Sequence, residues 1–531
     1  MKYCESIYQT KRFKTREIKV GSVGVGGSNP VRIQSMTTSN TRDVEATIEQ
    51  IIRLADVGCE IARVTVQGKK EAEACEGIKN GLLKRGYSIP LVADIHFYPP
   101  AALLVAEFAD KVRVNPGNFV DKRASFKVIE YDDMAYAREL AKIEEGFAPL
   151  VEKCKRLKKA MRIGTNHGSL SDRVMNRFGD SPRGMVESAL EFARVCRKYD
   201  YHDFCFSMKA SNPVVMMHAY RLLVAEMMKL GWDYPLHLGV TEAGEGEDGR
   251  IKSAMGIGAL LLDGIGDTIR VSLTEDPWAE IDPCKRLVKF AENSLGKGIE
   301  PFEERFRDFT QLQRRKVVYR APFNEQGSVV VKANGRYLIE GVPIDQSQCM
   351  IFSPKVSPLH ETRRLVEKLK AENNTLPLII EIKSNCEPED LPIHMGAQYG
   401  AILCDQLAEG VCVENEKFGF NLLQSARMRM TKTDFISCPG CGRTLFDLQD
   451  VSRRIREKTA HLPGVKIAIM GCIVNGPGEM ADADFGYVGS KPDKIDLYVG
   501  KNCVERDIAF ADADQRLVNL IKSHGKWTEP S

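Results

Sequence analysis

A strand pattern that repeats eight times within the first 280 residues constrains the fold most. Short apolar runs alternate with segments that carry apolar residues at three-and-four spacing, as in residues 43–57 and 182–199. The eight runs are residues 31–36, 61–66, 91–96, 111–115, 161–166, 204–209, 236–242 and 268–273. Repeated strand–helix units are typical of a (β/α)8 barrel, whereas an open doubly wound sheet usually has fewer strands in this length. The sequence therefore predicts an α/β protein with an N-terminal TIM barrel.

Cationic and polar side chains lie within these apolar strands. The cations are Arg63, Arg113, Arg162, Lys209 and Arg270, and the polar residues on the same strands are Asn115, Asn166, Glu242 and Ser272. Any single arginine could belong to a structural ion pair, because a buried charge is costly without a partner. However, Asp94, Glu242 and Asp267 are too few to neutralise a set that converges on one barrel mouth. Since guanidinium groups match phosphate oxygens bidentately, the set predicts a multiply charged anion, and a diphosphate fits better than a monocarboxylate.

Three cysteines near the C-terminus form a second constellation. Cys438 and Cys441 form a C-x-x-C pair, Cys472 stands alone, and Glu479 follows seven residues later. Three thiolates suit three corners of an Fe–S cluster, with a carboxylate as an exchangeable fourth ligand. A structural zinc site or a redox disulfide stays open as an alternative, with His461 as the one nearby residue that could complete a zinc site. A cluster with one exchangeable iron predicts reductive chemistry on a bound substrate.

Charge balance and composition argue against several classes of protein. Lys plus Arg is 75 and Asp plus Glu is 72, so the chain lacks the basic footprint of a general nucleic-acid-binding protein. No run of about 18 apolar residues is present, so we expect no membrane span. Without an apolar N-terminal signal, the 15 cysteines are expected to be buried thiols or metal ligands in a cytoplasmic or other reducing compartment.

Three domains are expected along the chain. They are the barrel over residues 1–290, an inserted small α/β domain over 291–428 and a C-terminal α+β iron–sulfur domain over 429–531. In the insert we predict helices at 303–320 and 357–372 and strands at 328–332, 376–383 and 401–404. In the last domain we predict helices at 444–458 and 506–524 and strands at 466–470 and 494–499. The insert shows no catalytic constellation, and we assign it a spacer role.

Seven motifs together resemble one known family. They are Val-Arg-Ile-Gln-Ser-Met-Thr (31–37), Leu-Val-Ala-Asp-Ile-His-Phe (91–97), Arg-Val-Asn-Pro-Gly-Asn (113–118), Arg-Ile-Gly-Thr-Asn-His-Gly-Ser-Leu (162–170), Leu-Gly-Val-Thr-Glu-Ala-Gly (238–244), Gly-Asp-Thr-Ile-Arg-Val-Ser-Leu (266–273) and Gly-Cys-Ile-Val-Asn-Gly-Pro-Gly-Glu (471–479). Over about residues 12–285 and 429–531, the chain resembles the hydroxymethylbutenyl diphosphate synthase family. The long segment between these regions is similar to the inserted domain of the longer family members.

The resemblance implies a reaction and a set of residue roles. The reaction is the reductive ring opening of 2-C-methyl-D-erythritol 2,4-cyclodiphosphate to (E)-4-hydroxy-3-methylbut-2-enyl diphosphate, in the methylerythritol phosphate route to isoprenoids. Reduced ferredoxin or flavodoxin would supply two electrons. A [4Fe-4S] cluster would be held by Cys438, Cys441, Cys472 and Glu479. The diphosphate would be bound by Arg63, Arg113, Arg162, Lys209 and Arg270 with Asn115, Asn166 and Ser272, and Glu242 would be an acid–base or hydroxyl-binding group.

Two other functions and one question of geometry accompany this expectation. A pterin-binding or aldolase-like barrel with a zinc-stabilised tail would need no reductant, and an iron or redox sensor would need no diphosphate pocket. In the short form of the family, the cluster domain closes on the barrel of a partner chain. The insert of this chain would let one chain close on itself, as a monomer or within a homodimer.

Overall fold

The computed structural model describes residues 1–121, 131–474, 476–480 and 482–530, with side chains of the short helix Gly476–Glu479 described from Gly478 onwards. Asn475, within the last of the seven motifs, lies outside the described residues. Eight parallel strands in the first half of the chain form one sheet in the order β6-β5-β4-β3-β2-β1-β8-β7. They are β1 Arg32–Met36, β2 Ile61–Val66, β3 Leu91–Ile95, β4 Lys111–Val114, β5 Ala160–Asn166, β6 Phe204–Lys209, β7 His237–Leu238 and β8 Thr268–Ile269. A parallel bridge between Phe206 and Leu236 joins the two ends of the sheet, so the predicted barrel is confirmed.

Helices surround the barrel in alternation with its strands. They are Val44–Asp56, Lys69–Lys84, Pro99–Val105, Pro116–Phe119, Asp133–Leu157, Asp172–Phe178, Pro182–Lys198, Pro213–Leu230, Gly246–Leu262 and Ile281–Ser294. Local sequence sets several of their starts: the Ser181 side chain accepts the Gly184 N–H, and Pro182 occupies a first-turn position that needs no donor. A hairpin of strands Ile18–Val20 and Val23–Val25 packs under the barrel.

The seventh and eighth strands are shorter than the sequence predicts. Regular pairing stops at Leu238 and Ile269, although the predicted strands continue to residues 242 and 273. Beyond Leu238 the backbone passes close to Lys209, whose Nζ would lie 2.6 Å from a Cβ at Gly239. Glu242 then adopts a positive φ of 49°. After Leu238 and Ile269, the chain leaves the barrel sheet, and the side chains that follow lie at the mouth of the barrel.

The insert forms a six-stranded mixed sheet with three helices. Its strands are β9 Ser328–Ala333, β10 Arg336–Ile339, β11 Val342–Pro343, β12 Met350–Phe352, β13 Leu378–Glu381 and β14 Gly410–Cys412, and its helices are Pro358–Ala371, Leu391–Leu403 and Glu416–Ser425. The order is β11-β10-β9-β14-β13-β12, with β12, β13, β14 and β9 parallel and the β9-β10-β11 meander antiparallel. The strand predictions near 328 and 378 and the helix prediction near 358 are confirmed.

Two predictions for the insert are wrong. Residues 303–320 form no helix but follow an irregular path with a turn at residues 308–311, because their charged side chains pair with other parts of the fold. Residues 401–403 end helix Leu391–Leu403 rather than forming a strand. That helix lies directly on barrel helix Gly246–Leu262, where a Cβ at Gly400 would come within 2.5 Å of the Met255 Cα. Such close backbone packing requires glycine.

The C-terminal region is a five-stranded sheet covered by two helices. Its strands, in spatial and chain order, are β15 Asp434–Ser437, β16 Lys466–Met470, β17 Phe485–Lys491, β18 Lys494–Val499 and β19 Asn502–Ala509, and its long helices are Leu448–Thr459 and Phe510–Ser523. The predicted strands at 466 and 494 are confirmed. The last helix starts at Phe510 rather than 506, because residues 502–509 pair with β18 as an edge strand.

A buried ion network joins the insert to the barrel. Arg221 lies 2.7 Å from Asp263 and also pairs with Asp405 of the insert. Arg363 and Arg307 of the insert contact Asp263 at 2.8 Å and Asp405 at 2.6 Å. These side chains are all buried, and they link the insert to the barrel. Removal of any one of them would leave a buried charge without its partner. No described helix is long and apolar enough to cross a membrane.

Candidate active site

Two of the five predicted cations are held by carboxylates at the barrel mouth. Arg270 donates Nε and NH2 to the two oxygens of Glu280, both at 2.9 Å. Arg113 donates to Asp94 at 2.8 Å, and its NH1 lies 2.7 Å from Nε2 of His96. Burial, followed by the nearby charge of Arg443, lowers the pKa of His96 to about 3. A neutral His96 can therefore accept from Arg113, and both guanidinium groups are held in fixed orientations.

The other three cations have no carboxylate partner among the described residues. Arg63 donates to the Met36 sulfur at 3.2 and 3.0 Å, and Nε and NH1 of Arg162 are buried without an acceptor in the described part of the chain. Burial, together with repulsion between neighbouring cations, lowers the pKa of Arg162 to about 10 and the pKa values of Arg63 and Lys209 well below their usual ranges. Because the interior lacks matching negative charge, an anionic ligand would relieve this repulsion and satisfy the free donors.

The predicted polar residues lie around these cations. Asn166 accepts from Arg113 NH2 at 3.2 Å. Asn115 donates to Ser169 Oγ at 2.7 Å and accepts the Gly117 N–H, so it also shapes the loop after β5. Ser272 is buried beyond the end of β8. These polar groups line the mouth at the carboxyl ends of the strands, where TIM-barrel sites are built.

Glu242 and Glu479 meet at the mouth although 237 positions separate them in the chain. Thr241 Oγ1 donates to Glu479 Oε2 at 3.0 Å, and both carboxyl groups are buried. Burial raises the pKa of Glu242, and burial together with the nearby Glu242 carboxyl raises the pKa of Glu479 well above its usual range. Glu479 Oε1 has no hydrogen-bond partner among the described residues. The pair therefore calls for a proton or a cation between the two carboxyl groups.

The three cysteines lie at one edge of the C-terminal sheet. Cys438 follows β15 and Cys472 follows the adjacent parallel strand β16, with the Cys438 N–H donating to the Ile469 carbonyl at 3.1 Å. The Gly471 N–H donates to Cys438 Sγ at 3.3 Å. Burial, followed by the proximity of Cys472 and Cys441, raises the pKa of the Cys438 thiol.

This donor set is consistent with an iron–sulfur cluster. Three soft sulfur ligands, a backbone N–H directed at one sulfur and a carboxylate oxygen without a partner are the features such a cluster uses. Among the described residues, no three His, Cys, Asp or Glu side chains form a group that could hold a single metal ion.

Arg443 is a candidate site residue that the sequence analysis missed. It follows the C-x-x-C pair by two positions, and its NH2 lies 3.6 Å from Asp94 Oδ2 inside the barrel. Its Nε and NH1 are buried and have no acceptor among the described residues. The only signal in the sequence is its position directly after the Cys441-Gly dipeptide. Arg443 thus adds donors from the C-terminal domain to the cationic mouth.

The C-terminal domain covers the barrel of its own chain. Ala243, beyond β7, forms a parallel bridge with Ser437 at the end of β15. Thr274 Oγ1 donates to the carbonyls of Ser437 and Cys438 at 3.2 and 3.1 Å. On the other side of the mouth, a Cβ at Gly478 would lie 1.2 Å from the Gly168 carbonyl oxygen, so the two backbones are in direct contact. In this structure, the C-terminal domain and the barrel of the same chain are therefore in direct contact.

Comparison with known proteins places the chain among well-defined relatives. The GcpE TIM-barrel domain matches residues 15–285, and the GcpE protein C-terminal domain matches residues 434–523. The 4-hydroxy-3-methylbut-2-en-1-yl diphosphate synthase (flavodoxin) of Protochlamydia amoebophila is 55% identical, with 100% of this chain and 99% of that protein covered. The chloroplastic, ferredoxin-type enzyme of Oryza sativa is 48% identical over 100% of this chain and 89% of its own length. This chain therefore belongs to the GcpE family of 4-hydroxy-3-methylbut-2-en-1-yl diphosphate synthases.

Proposed function

We propose that this protein reduces 2-C-methyl-D-erythritol 2,4-cyclodiphosphate to (E)-4-hydroxy-3-methylbut-2-enyl diphosphate. The reaction consumes two electrons and two protons, opens the cyclic diphosphate and releases one water molecule. One observation carries the proposal. Buried cations without an ion-pair partner among the described residues lie in the barrel, and the cysteines and Glu479 lie on the domain that covers the barrel. The names of the full-length relatives agree with this reaction.

The diphosphate binds among the cations of the barrel mouth. Arg63, Arg162 and Lys209 supply charge that no described carboxylate neutralises, and Arg113 and Arg270 are oriented by Asp94 and Glu280. Asn115, Asn166 and Ser272 complete the polar wall. Arg443 contributes two further donors from the side of the cluster domain. A dianionic or trianionic substrate offsets the free-energy cost of removing these cations from water.

A [4Fe-4S] cluster would be held by Cys438, Cys441, Cys472 and Glu479. When bound, the cluster supplies the two electrons, one at a time, and a Lewis-acidic iron. Thr241 orients Glu479 through its 3.0 Å hydrogen bond, so this ligand lies at the interface between the domains. The C-terminal domain excludes water from the mouth, which protects reactive states from side reactions.

Glu242 supplies the proton that a departing hydroxyl requires. Its carboxyl group is buried beside Glu479, and burial raises its pKa, whereas the hydrogen bond from Thr241 and the charges of Lys209 and Arg270 lower it. We assign Glu242 the role of a general acid that donates a proton to the leaving oxygen as it becomes water.

The remaining assignments concern partners and assembly. Reduced ferredoxin or flavodoxin is the proposed electron donor, since the relatives carry one or the other in their names. The insert serves as a spacer between barrel and cluster domain, and the catalytic unit is a single chain. Light scattering and complementation between two defective subunits test this: restored activity on mixing would show that barrel and cluster domain pair between chains.

The reaction is tested with anaerobically prepared, cluster-loaded protein. Oxidation of reduced methyl viologen that depends on the cyclodiphosphate, with formation of the linear diphosphate, is the expected result. Absence of turnover with four irons per chain present would contradict the proposal and favour a redox sensor. Zinc instead of iron in protein prepared without oxygen would favour the aldolase-like alternative.

A further inference from the structure

A cavity of about 640 Å³ lies within the insert. Residues 306–316 form one wall, and the end of helix Pro358–Ala371 with residues 373–375 and 405–407 forms the other. This volume is within the range of pockets that bind small organic ligands, about 300–1,000 Å³. The wall residue Asp405 pairs with Arg221, which also pairs with Asp263 at the end of helix Gly246–Leu262. Barrel helices end where the next strand begins, so the cavity lies toward the face opposite the active-site mouth.

Positive charge dominates the wall of this cavity. The cations are Arg307, Arg314, Arg315, Lys316 and Lys370, and the acids are Asp308 and Asp405. Two of the cations are neutralised: Arg307 lies 2.6 Å from Asp405, and Arg315 lies 2.7 Å from Glu409. Asp405 also pairs with Arg221 and Arg363, so its negative charge does not neutralise the other cations of the cavity.

Three cations are left without a carboxylate partner among the described residues. Arg314 donates to the Glu325 carbonyl at 2.7 Å, and Lys370 donates to the Phe306 carbonyl at 3.1 Å. Lys316 is exposed and forms no ion pair or hydrogen bond with described residues. In addition, Nε of Arg307 and Nε of Arg315 are buried without an acceptor. The cavity therefore offers several donors and an excess of positive charge to an anion.

An apolar surface lies beside these cations. Leu312 of the wall is half-buried, whereas Val366, Leu369 and Leu407 are almost fully buried. Phe306, at the rim, is 50% exposed. A ligand with both an anionic end and an apolar end would use both parts of the cavity, whereas inorganic phosphate would use only one.

We propose that this cavity is a binding site for a small organic diphosphate ester. The diphosphate contacts Arg314, Lys316 and Lys370, because three unpaired cations match a diphosphate better than a monoanion. The apolar group of the ester packs against Leu312 and Phe306. The irregular course of residues 303–320, where the sequence predicts a helix, places Arg314 and Lys316 on the wall. The site is separate from the barrel mouth and does not depend on the chemistry proposed there.

Isothermal titration of the full-length protein with 3-methylbutyl diphosphate tests the proposal. This ester lacks the ring and the hydroxyl group that the proposed reaction uses. We expect two classes of site in the wild type and one class in the Arg63→Gln/Lys209→Gln variant, which weakens binding at the barrel mouth. That remaining class should lose affinity at least tenfold in an added Arg314→Gln/Lys316→Gln background. Binding there should also be at least fivefold weaker for inorganic diphosphate than for the ester.

Matched variants separate a binding role from a structural one. Lys368→Gln removes an exposed cation from the same helix outside the cavity and should change affinity less than twofold. Lys370→Gln gives a second test of the cavity if the double variant is poorly folded. Unchanged binding in both cavity variants, or a single class of site that disappears with Arg63→Gln/Lys209→Gln, would overturn the proposal. Equal affinity for inorganic diphosphate would overturn the choice of an organic ester.

Discussion

The barrel mouth and the barrel–insert junction both bury arginine side chains, but the junction pairs each of its arginines with a carboxylate, whereas of the five predicted cations at the mouth only Arg113 and Arg270 pair with a described carboxylate. At the junction, Arg221, Arg307 and Arg363 share Asp263 and Asp405. At the mouth, burial and then neighbouring cations lower the pKa values of Arg63, Arg162 and Lys209, which form no ion pair with a described carboxylate. At the junction, ion pairs within the protein compensate the free-energy cost of burying the charges. At the mouth, only a bound anionic ligand would compensate that cost. The same residue type thus stabilises the fold at one place and creates a binding site at the other.

The largest effect is expected at the proposed sulfur ligands, because reduction of a substrate bound at the cationic mouth would need the cluster that they hold. Cys472→Ala removes one of three thiolates, so the cluster should not assemble and turnover should fall below detection. Iron content and the visible absorption of anaerobic protein measure the loss. Cys503→Ala, in the same domain but outside the ligand set, is the control and should keep both. A Cys472→Ala protein with full iron and activity would remove this ligand assignment.

Neutralising the unpaired cations should separate binding from stability. Arg63→Gln should lower kcat/KM by about tenfold to hundredfold, because a hydrogen bond between charged groups contributes about 1.5–3 kcal/mol. The melting temperature should stay the same or rise, since a buried cation without a partner is removed. Steady-state kinetics and thermal unfolding of the same sample give both values. A large fall in stability with unchanged kcat/KM would break the comparison between the two regions.

The junction should respond in the opposite way. Asp405→Ala leaves Arg221, Arg307 and Arg363 short of a shared carboxylate, so unfolding free energy should fall by about 3–5 kcal/mol. Turnover at a temperature where the variant is folded should change little. Asp282→Ala, an exposed partner of Arg286, is the control and should cost about 0–1 kcal/mol in a urea titration. Equal losses in both variants would show that the network is not stabilising.

The stabilising effect of Asp405 at the junction should also be visible in the pH dependence of stability. Burial alone would raise the pKa of Asp405, but Arg221, Arg307 and Arg363 hold it well below its usual range. A carboxyl group with a depressed pKa in the folded state contributes fully above its unfolded pKa, near 3.9, and loses that contribution as the pH falls further. The difference in melting temperature between wild type and Asp405→Ala should therefore be constant from pH 7 to 5 and shrink below about pH 4. A difference that shrinks between pH 7 and 5 would contradict this assignment.

The smallest effect is expected at Arg443, which links the two domains. Arg443→Met should lower kcat/KM about tenfold, because Nε and NH1 no longer contact the substrate, while iron content stays unchanged. Arg443→Lys should recover part of the loss through its charge. Iron content, kcat and KM measured together distinguish substrate binding from damage to the cluster. Loss of iron in Arg443→Met would instead make this residue a structural support of the Cys441 loop.

Periodicity and local chemistry were sufficient for much of the fold. The alternation of apolar runs predicted all eight barrel strands, and the capped starts of helices such as Pro182–Lys198 follow from residues a few positions away. Prediction failed where distant contacts decide the conformation. Residues 303–320 have a helical composition but form no regular secondary structure, because Arg307 and Arg315 pair with Asp405 and Glu409. Residues 502–509 pair with β18 instead of continuing the last helix.

The candidate site divides in a similar way. Cysteine spacing and arginines inside apolar strands are local patterns, so Cys438, Cys441 and Arg63 can be selected without coordinates. Arg443 has no such pattern, since its significance comes from the 3.6 Å approach to Asp94 across the domain boundary. Likewise, Asp94 and Glu280 become orienting partners of Arg113 and Arg270 only through the packing of the barrel.

By itself, the sequence determined the barrel, the cationic character of its strands and the candidate set of thiol ligands, because each depends on residue type and short spacing. Only the tertiary structure decided which cations are neutralised, that Glu479 meets Glu242, and that the C-terminal domain covers the barrel of its own chain. These properties depend on distances between residues far apart in the chain. Burial makes such distances decisive, because a charge removed from water is stabilised only by partners within a few ångströms.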